Sequence, residues 1–189
     1  MIELNTLVRE NIKALKSYSS ARDEFSGSEG IFLEANENPF GELNRYPDPY
    51  QRELKQVIGE YKSIDPNSIF IGNGSDEVID LLFRIFCNPG VDHALTFSPT
   101  YGMYDVSAAI NDVELVKVEL DSNFDLNFKK LAPFLEDKSL KLILLCTPNN
   151  PTGNSIDFAV IERIIANFSG IVLVDEAYID FCDARSATE

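Results

Sequence analysis

Four clusters of residues have types and spacings suited to chemistry at a bound ligand, and each borders a regular element. Asp175-Glu176-Ala177-Tyr178 directly follows the apolar run Val172-Leu173-Val174. A carboxylate at the end of a buried strand is costly unless a positive group pairs with it. A protonated ring nitrogen would serve, as would a Mg²⁺ ion or a structural ion pair. Tyr178, three residues on, reaches the same ligand if a helical turn starts there. Pro148-Asn149-Asn150-Pro151-Thr152-Gly153 follows a second apolar run, Leu140 to Cys146. Its prolines restrict the loop and its amides can donate to a ligand oxygen, which makes it the most specific motif present; the bland alternative is a rigid polar turn. Gly72-Asn73-Gly74-Ser75-Asp76-Glu77 allows a tight turn into a helix capped by Ser75, whose N-terminal N–H groups favour a phosphate, although any capped helix start has this composition. Pro99-Thr100-Tyr101-Gly102 holds a tyrosine that either stacks on a flat ligand or packs in the core. No Gly-Lys-Ser/Thr loop and no third glycine of a dinucleotide fingerprint accompanies these clusters.

The elements that must position them follow from hydrophobic periodicity. Residues 1 to 24 read as a helix or arm with Leu4, Leu7, Val8, Ile12 and Leu15 on one side, followed by the short apolar run Ile31-Phe32-Leu33. Residues 36 to 48, dense in Asn, Pro and Gly, form a long loop. Helices are predicted over 50–62, 76–87, 103–110, 127–135 and 156–168, the second buried all round. Strands are predicted over 94–97, 114–120, 140–146 and 171–174, with a strand or turn over 68–71. The runs 140–146 and 171–174 are apolar on both faces, so a largely parallel sheet covered by helices is expected: an α/β fold. Functional residues in such a fold gather past the C-terminal strand ends, which is where the four clusters lie.

At 189 residues, with 44% hydrophobic and 25% charged residues, the chain suits one globular domain and excludes low-complexity or disordered classes. A net charge of −15, with no basic cluster, argues against nucleic-acid and anionic-membrane partners. No apolar stretch is long enough to cross a bilayer and no signal-peptide core opens the chain, so a cytoplasmic location is expected. Cys87, Cys146 and Cys182 are widely spaced and read as free thiols, and His93 has no neighbours suited to a zinc site.

Together the motifs resemble the fold-type I, pyridoxal-phosphate-dependent aminotransferases, and among them most closely the histidinol-phosphate aminotransferases. The resemblance runs from about Phe32 to Phe181. It rests on Asn36-Glu37-Asn38-Pro39-Phe40-Gly41, Arg45-Tyr46-Pro47-Asp48-Pro49, Gly72 to Glu77, Pro99 to Tyr104, Pro148 to Gly153 and Asp175 to Tyr178. It implies part of a three-layer α/β/α large domain over 31–189, preceded by an arm over 1–30, and pyridoxal 5'-phosphate as the cofactor. Ser75, Asp76 and Glu77 would bind the cofactor phosphate through their helix N-terminus, and Tyr101 would stack on the ring. Asn150 and Tyr178 would hydrogen-bond the ring's 3-oxygen, and Asp175 would pair with its nitrogen. Tyr46 would reach the partner's cofactor phosphate across a homodimer interface, while Glu37 and Asn38 would border the substrate.

The implied reaction moves an amino group from glutamate to imidazole-acetol phosphate, giving 2-oxoglutarate and histidinol phosphate in histidine biosynthesis. The implied partners are therefore small molecules, an amino donor and a phosphorylated keto acceptor, and a second copy of the enzyme. Alternatives are another aminotransferase, a threonine-phosphate decarboxylase, or a non-catalytic module that keeps the fold. Two departures stand out. The stretch from Gly41 to Arg45 is shorter than in many members. The Schiff-base lysine of the family, in a Ser-Lys motif, has no counterpart up to Glu189; Lys55, Lys117, Lys129, Lys138 and Lys141 stand in other contexts. The expectation is an N-terminal part of a longer enzyme, with no catalytic residue of its own and inactive alone.

Overall fold

The computed structural model describes residues 3–19, 24–25, 30–31, 33, 35–44 and 46–189. Phe32 and Arg45, both part of the resemblance, lie outside the described residues. The chain divides into two units, Met1–Lys13 with Gly72–Glu189, and Ala14–Ile71.

The larger unit is built on four parallel strands, β1 (His93–Ser98), β2 (Glu114–Glu119), β3 (Leu140–Cys146) and β4 (Ile171–Asp175), in the order β2-β1-β3-β4. Helix α1 (Glu10–Lys13) is a single turn, and α2 (Arg52–Lys62) belongs to the smaller unit. The remaining helices are α3 (Gly74–Phe86), α4 (Met103–Ile110), α5 (Phe128–Leu131) and α6 (Phe158–Asn167). Successive strand residues point to opposite faces, so the apolar run Leu142 to Cys146 of β3 feeds two cores at once. On one face Leu142, Leu144 and Ala94 meet Ile79 and Phe83 of α3 and Tyr104 and Ala108 of α4. On the other, Ile143, Leu145, Leu95 and Phe97 meet Leu131 of α5 and Ile161 and Ile164 of α6. The result is an α/β/α stack, as the alternation of strand and helix patterns requires.

Several elements differ from expectation for identifiable reasons. Strand β4 is as apolar as β3, yet Ile171 to Val174 are only half-buried because β4 forms an edge of the sheet. Helix α3 is likewise one-sided: Ile79, Phe83 and Phe86 are buried, while Leu81, Leu82 and Ile85 are half-buried. The predicted helix over 127–135 breaks into α5 and a 3-10 turn, Ala132–Phe134, because Pro133 has no N–H to offer the helical ladder. Residues 69–71 form no strand and follow a 3-10 turn at Pro66–Ser68. The periodic N-terminus yields a 3-10 turn, Leu4–Thr6, and α1. Leu7 and Val8 pack on the first core, and the Arg9 N–H and Nη1 donate to the carbonyls of Ile85 (3.0 Å) and Arg84 (2.8 Å), satisfying the C-terminal end of α3.

In the smaller unit, the Asp48 carboxylate opens α2 by accepting the N–H groups of Tyr50 (3.0 Å) and Arg52 (2.9 Å) and the Arg52 guanidinium (2.8 Å). Gly59 is required where α2 meets its exit loop, since a Cβ there would lie 2.7 Å from the Ile64 carbonyl oxygen.

Surface carboxylates tie the larger unit to pH. Hydrogen bonding from the Arg84 guanidinium holds the Asp80 carboxyl below its ordinary value, and the backbone N–H of Ser139 does the same for Asp137. A depressed folded-state value means stability that is present above the unfolded value of about 3.9 and is lost as pH falls through the folded one. Urea denaturation midpoints are therefore expected to hold steady from neutral pH down to about 5 and then to fall. Asp80→Asn is expected to flatten that acid limb.

Candidate functional site

The first connection from β1 runs through α4 on one face of the sheet, while β3 leads into α6 on the other. Where neighbouring parallel strands send their helices to opposite faces, the loops part and leave a crevice beyond the strand ends. The loops that part here are Pro99 to Gly102 and Pro148 to Gly153, with the end of β4 alongside.

Asp175 is the last residue of β4, in register with Cys146, and is only 7% exposed. Its carbonyl accepts from the Thr147 N–H at 2.9 Å. Its Oδ2 accepts from the Tyr104 hydroxyl at 2.8 Å, and its Oδ1 from the Ala177 N–H at 3.2 Å. Among the described residues no lysine, arginine or histidine forms an ion pair with it. Two hydrogen bonds make its burial tolerable, and a buried acid of this kind favours a positive partner. Burial, reinforced by the neighbouring Cys146 and Asp175, pushes the Tyr104 phenol upward, so it remains a donor across the working pH range. Burial also raises the thiol of Cys146, whose Sγ points to the Pro148 carbonyl at 3.5 Å, so neutral groups surround the acid on this side.

Tyr101 sits three residues before Tyr104, and their rings meet edge to face with centroids 5.7 Å apart at 89°. The Tyr101 hydroxyl donates to Asp76 Oδ1 at 3.1 Å, which raises the Tyr101 phenol. Asp76 lies in the first turn of α3. That helix starts at Gly74, whose φ of +77° is a left-handed conformation with open space where a Cβ would stand. The glycine lets the chain enter the helix before Ser75. Ser75 consequently lies inside the first turn and makes no capping bond, contrary to the cap predicted for it. Glu77 acts instead: its Oε2 accepts from the Asn73 N–H (2.5 Å) and Nδ2 (3.0 Å). The first-turn N–H groups of α3 keep no intrahelical partner.

Asn150 and Tyr178 line one depression of about 400 Å³ together with Pro148, Pro151, Phe181 and Cys182. The expected turn after β4 is present as a 3-10 helix, Ile179–Phe181, entered through Tyr178. In the smaller unit, Glu37 Oε1 accepts the Tyr46 N–H at 2.9 Å, and Asn38 binds Phe40 N–H (3.0 Å) and Asn44 Nδ2 (2.6 Å). Glu37, Asn38 and Tyr46 therefore share one loop. Asp76, Tyr101 and Asp175 form a second group, and Asn150 with Tyr178 a third.

Two residues inside the motifs hold roles that the sequence does not assign them. Tyr104 joins Tyr101 to Asp175, and its spacing of three from Tyr101 at a helix start was the available signal. Asn149 is a buried hub: its Oδ1 accepts from Thr100 (2.7 Å), and its Nδ2 donates to the Pro99 carbonyl (3.0 Å) and Thr152 Oγ1 (2.9 Å). It locks together the two loops that carry Tyr101 and Asn150. Nothing in the adjacent pair Asn149-Asn150 says which amide is spent on the fold.

The aminotransferase class I and II family matches residues 21–188, covering the strands, the loops and all three groups of site residues. The chain belongs to that family. Its curated relatives include the histidinol-phosphate aminotransferases of Parabacteroides distasonis, 54% identical over 96% of this chain and 52% of that protein, and of Cytophaga hutchinsonii, 52% identical over 96% and 53%. The chain thus spans about half the length of the curated aminotransferases it matches. The solved histidinol-phosphate aminotransferase of Clostridium acetobutylicum superimposes with a TM-score of 0.62 at 27% identity, over 74% of this chain and 40% of that one. Among the described residues of this family member, no helix is long and apolar enough to cross a membrane.

Proposed function

We propose that this chain is the pyridoxal-phosphate-binding part of a transaminase that exchanges an amino group between glutamate and imidazole-acetol phosphate in histidine biosynthesis. The observation that carries the proposal is Asp175, a buried acid held by two donors and, among the described residues, without an ion-pair partner. A protonated ring nitrogen fits that acid in charge and in chemistry. When bound, the cofactor withdraws electrons from the bond being broken beside the amino group. Asp175 keeps the ring nitrogen protonated, and Tyr101 supports the ring face. Asn150 and Tyr178 serve the 3-oxygen from the depression they share. Asp76 and Glu77 present carboxylates that are already engaged, so their part in holding a phosphate is through the N–H groups of α3 and the Ser75 hydroxyl. Tyr46 serves the partner's phosphate in a homodimer, and Glu37 and Asn38 border the substrate. No lysine of the chain is given the covalent role. The names of the relatives support the substrate pair, and we read an enzyme of histidine biosynthesis as cytoplasmic.

The test is equilibrium dialysis of the 189-residue chain against pyridoxal phosphate, then borohydride reduction and intact mass. The expected outcome is one saturable, non-covalent equivalent and no mass gain. A failure to bind overturns the cofactor assignment, and a reduced adduct on one lysine overturns the statement that the chain has no covalent residue.

A further inference from the structure

We propose that Tyr104 is a positioning residue for the cofactor, its hydroxyl acting on the ring nitrogen through Asp175 and its ring fixing Tyr101. The inference rests on the cofactor reading above and adds a residue that the family motifs did not assign. Tyr104 is completely buried against Ile79, Phe83 and Ala108, in the core between the sheet and helices α3 and α4. From that position it touches two proposed cofactor contacts at once. Its hydroxyl donates to Asp175 Oδ2 at 2.8 Å, and its ring meets the edge of Tyr101, whose own hydroxyl is tied to Asp76.

An aspartate side chain has two rotatable bonds, so an acid that must aim at one ring atom needs external restraint. Asp175 has it at three points: its carbonyl accepts from Thr147, Oδ1 from Ala177, and Oδ2 from Tyr104. The first two bonds come from backbone N–H groups and set the strand end. Among the described residues the Tyr104 bond is the one that comes from a side chain, anchored in a packed helix that cannot follow the acid if it turns. Each oxygen retains a lone pair for a further donor while both torsions are held.

The two contacts of Tyr104 can be separated chemically. Tyr104→Phe keeps the ring and its packing and removes only the donor, whereas Tyr104→Leu removes both. The probes are pyridoxal phosphate and its analogue with carbon in place of the ring nitrogen, measured by equilibrium dialysis with the 189-residue chain. Tyr104→Phe is expected to weaken pyridoxal phosphate by about tenfold, the value of one hydrogen bond to a charged group, and to leave the carbon analogue unchanged. Tyr104→Leu is expected to weaken both. In an Asp175→Asn background, Tyr104→Phe is expected to have no further effect, because the path to the nitrogen is already cut. Equal losses with both probes, or none with either, would overturn the role. The carboxyl carbon resonance of Asp175 in the cofactor-free chain supplies a second decision: a shift on Tyr104→Phe supports positioning, and an unchanged resonance overturns it. If the wild-type chain bound neither probe, the cofactor reading would fall, and that resonance would still decide whether Tyr104 holds Asp175.

Discussion

Asp175→Ala is expected to strip the chain of pyridoxal phosphate, weakening binding by about tenfold to a hundredfold, the range set by losing a charge-assisted hydrogen bond. It is also expected to lower stability by about 1–3 kcal/mol, because the Tyr104 hydroxyl, itself fully buried, loses its acceptor. Asp175→Asn separates the two effects. An asparagine oxygen still accepts from Tyr104, so most of the stability should return, while the charge opposite the ring nitrogen remains absent. Dialysis and urea melts of the three proteins give both readouts. Unimpaired cofactor binding by Asp175→Ala would remove the acid from the site, whatever its effect on folding.

Phe83→Ala is expected to be the most damaging core substitution, costing about 3–5 kcal/mol, a large share of the roughly 5–15 kcal/mol that holds a typical domain together. Phe83 lies in the last turn of α3, has no exposed surface, and packs against the sheet in the cluster that also contains Ile79, Tyr104, Leu142 and Leu144. Emptying that volume leaves a void beside Tyr104. The substitution should therefore weaken cofactor binding as well, although Phe83 is not itself one of the proposed contacts. Phe83→Leu, which refills most of the space, is expected to recover the larger part of both losses. A melt of Phe83→Ala within 1 kcal/mol of the wild type, about the size of an ordinary substitution, would show that the helix packs less tightly than its burial indicates.

Much of this was legible before any coordinates. The apolar run over 140–146 announced a strand covered on both faces, the run over 171–174 announced a strand, and Thr147-Pro148 marked where β3 ends. The positions of Asp175 at a strand end and of Asn150 and Tyr101 just past strand ends were legible for the same reason: hydrophobic period and turn residues are local properties. Local pattern also misled in identifiable places. Ser75 has the composition of a cap, but Gly74 can adopt a left-handed conformation and admits the helix one residue early, handing the capping to Glu77. Strand β4 has the composition of a buried strand, but its place in the sheet order leaves it half-covered.

The sequence by itself determined the α/β class, the strand and helix frame, and the short motifs that carry the family. The tertiary structure decided which of those motifs act together and which side chains are spent on the fold. Thr100 and Asn149 are 49 residues apart, and Tyr104 and Asp175 are 71 apart. No periodicity spans such distances, because pairing at that range is set by strand order and by which face each helix covers. That is why Asn149 emerged as a structural hub beside the proposed ligand-facing Asn150, and why Tyr104, the last residue of the Pro99 to Tyr104 motif, became the link between Tyr101 and Asp175.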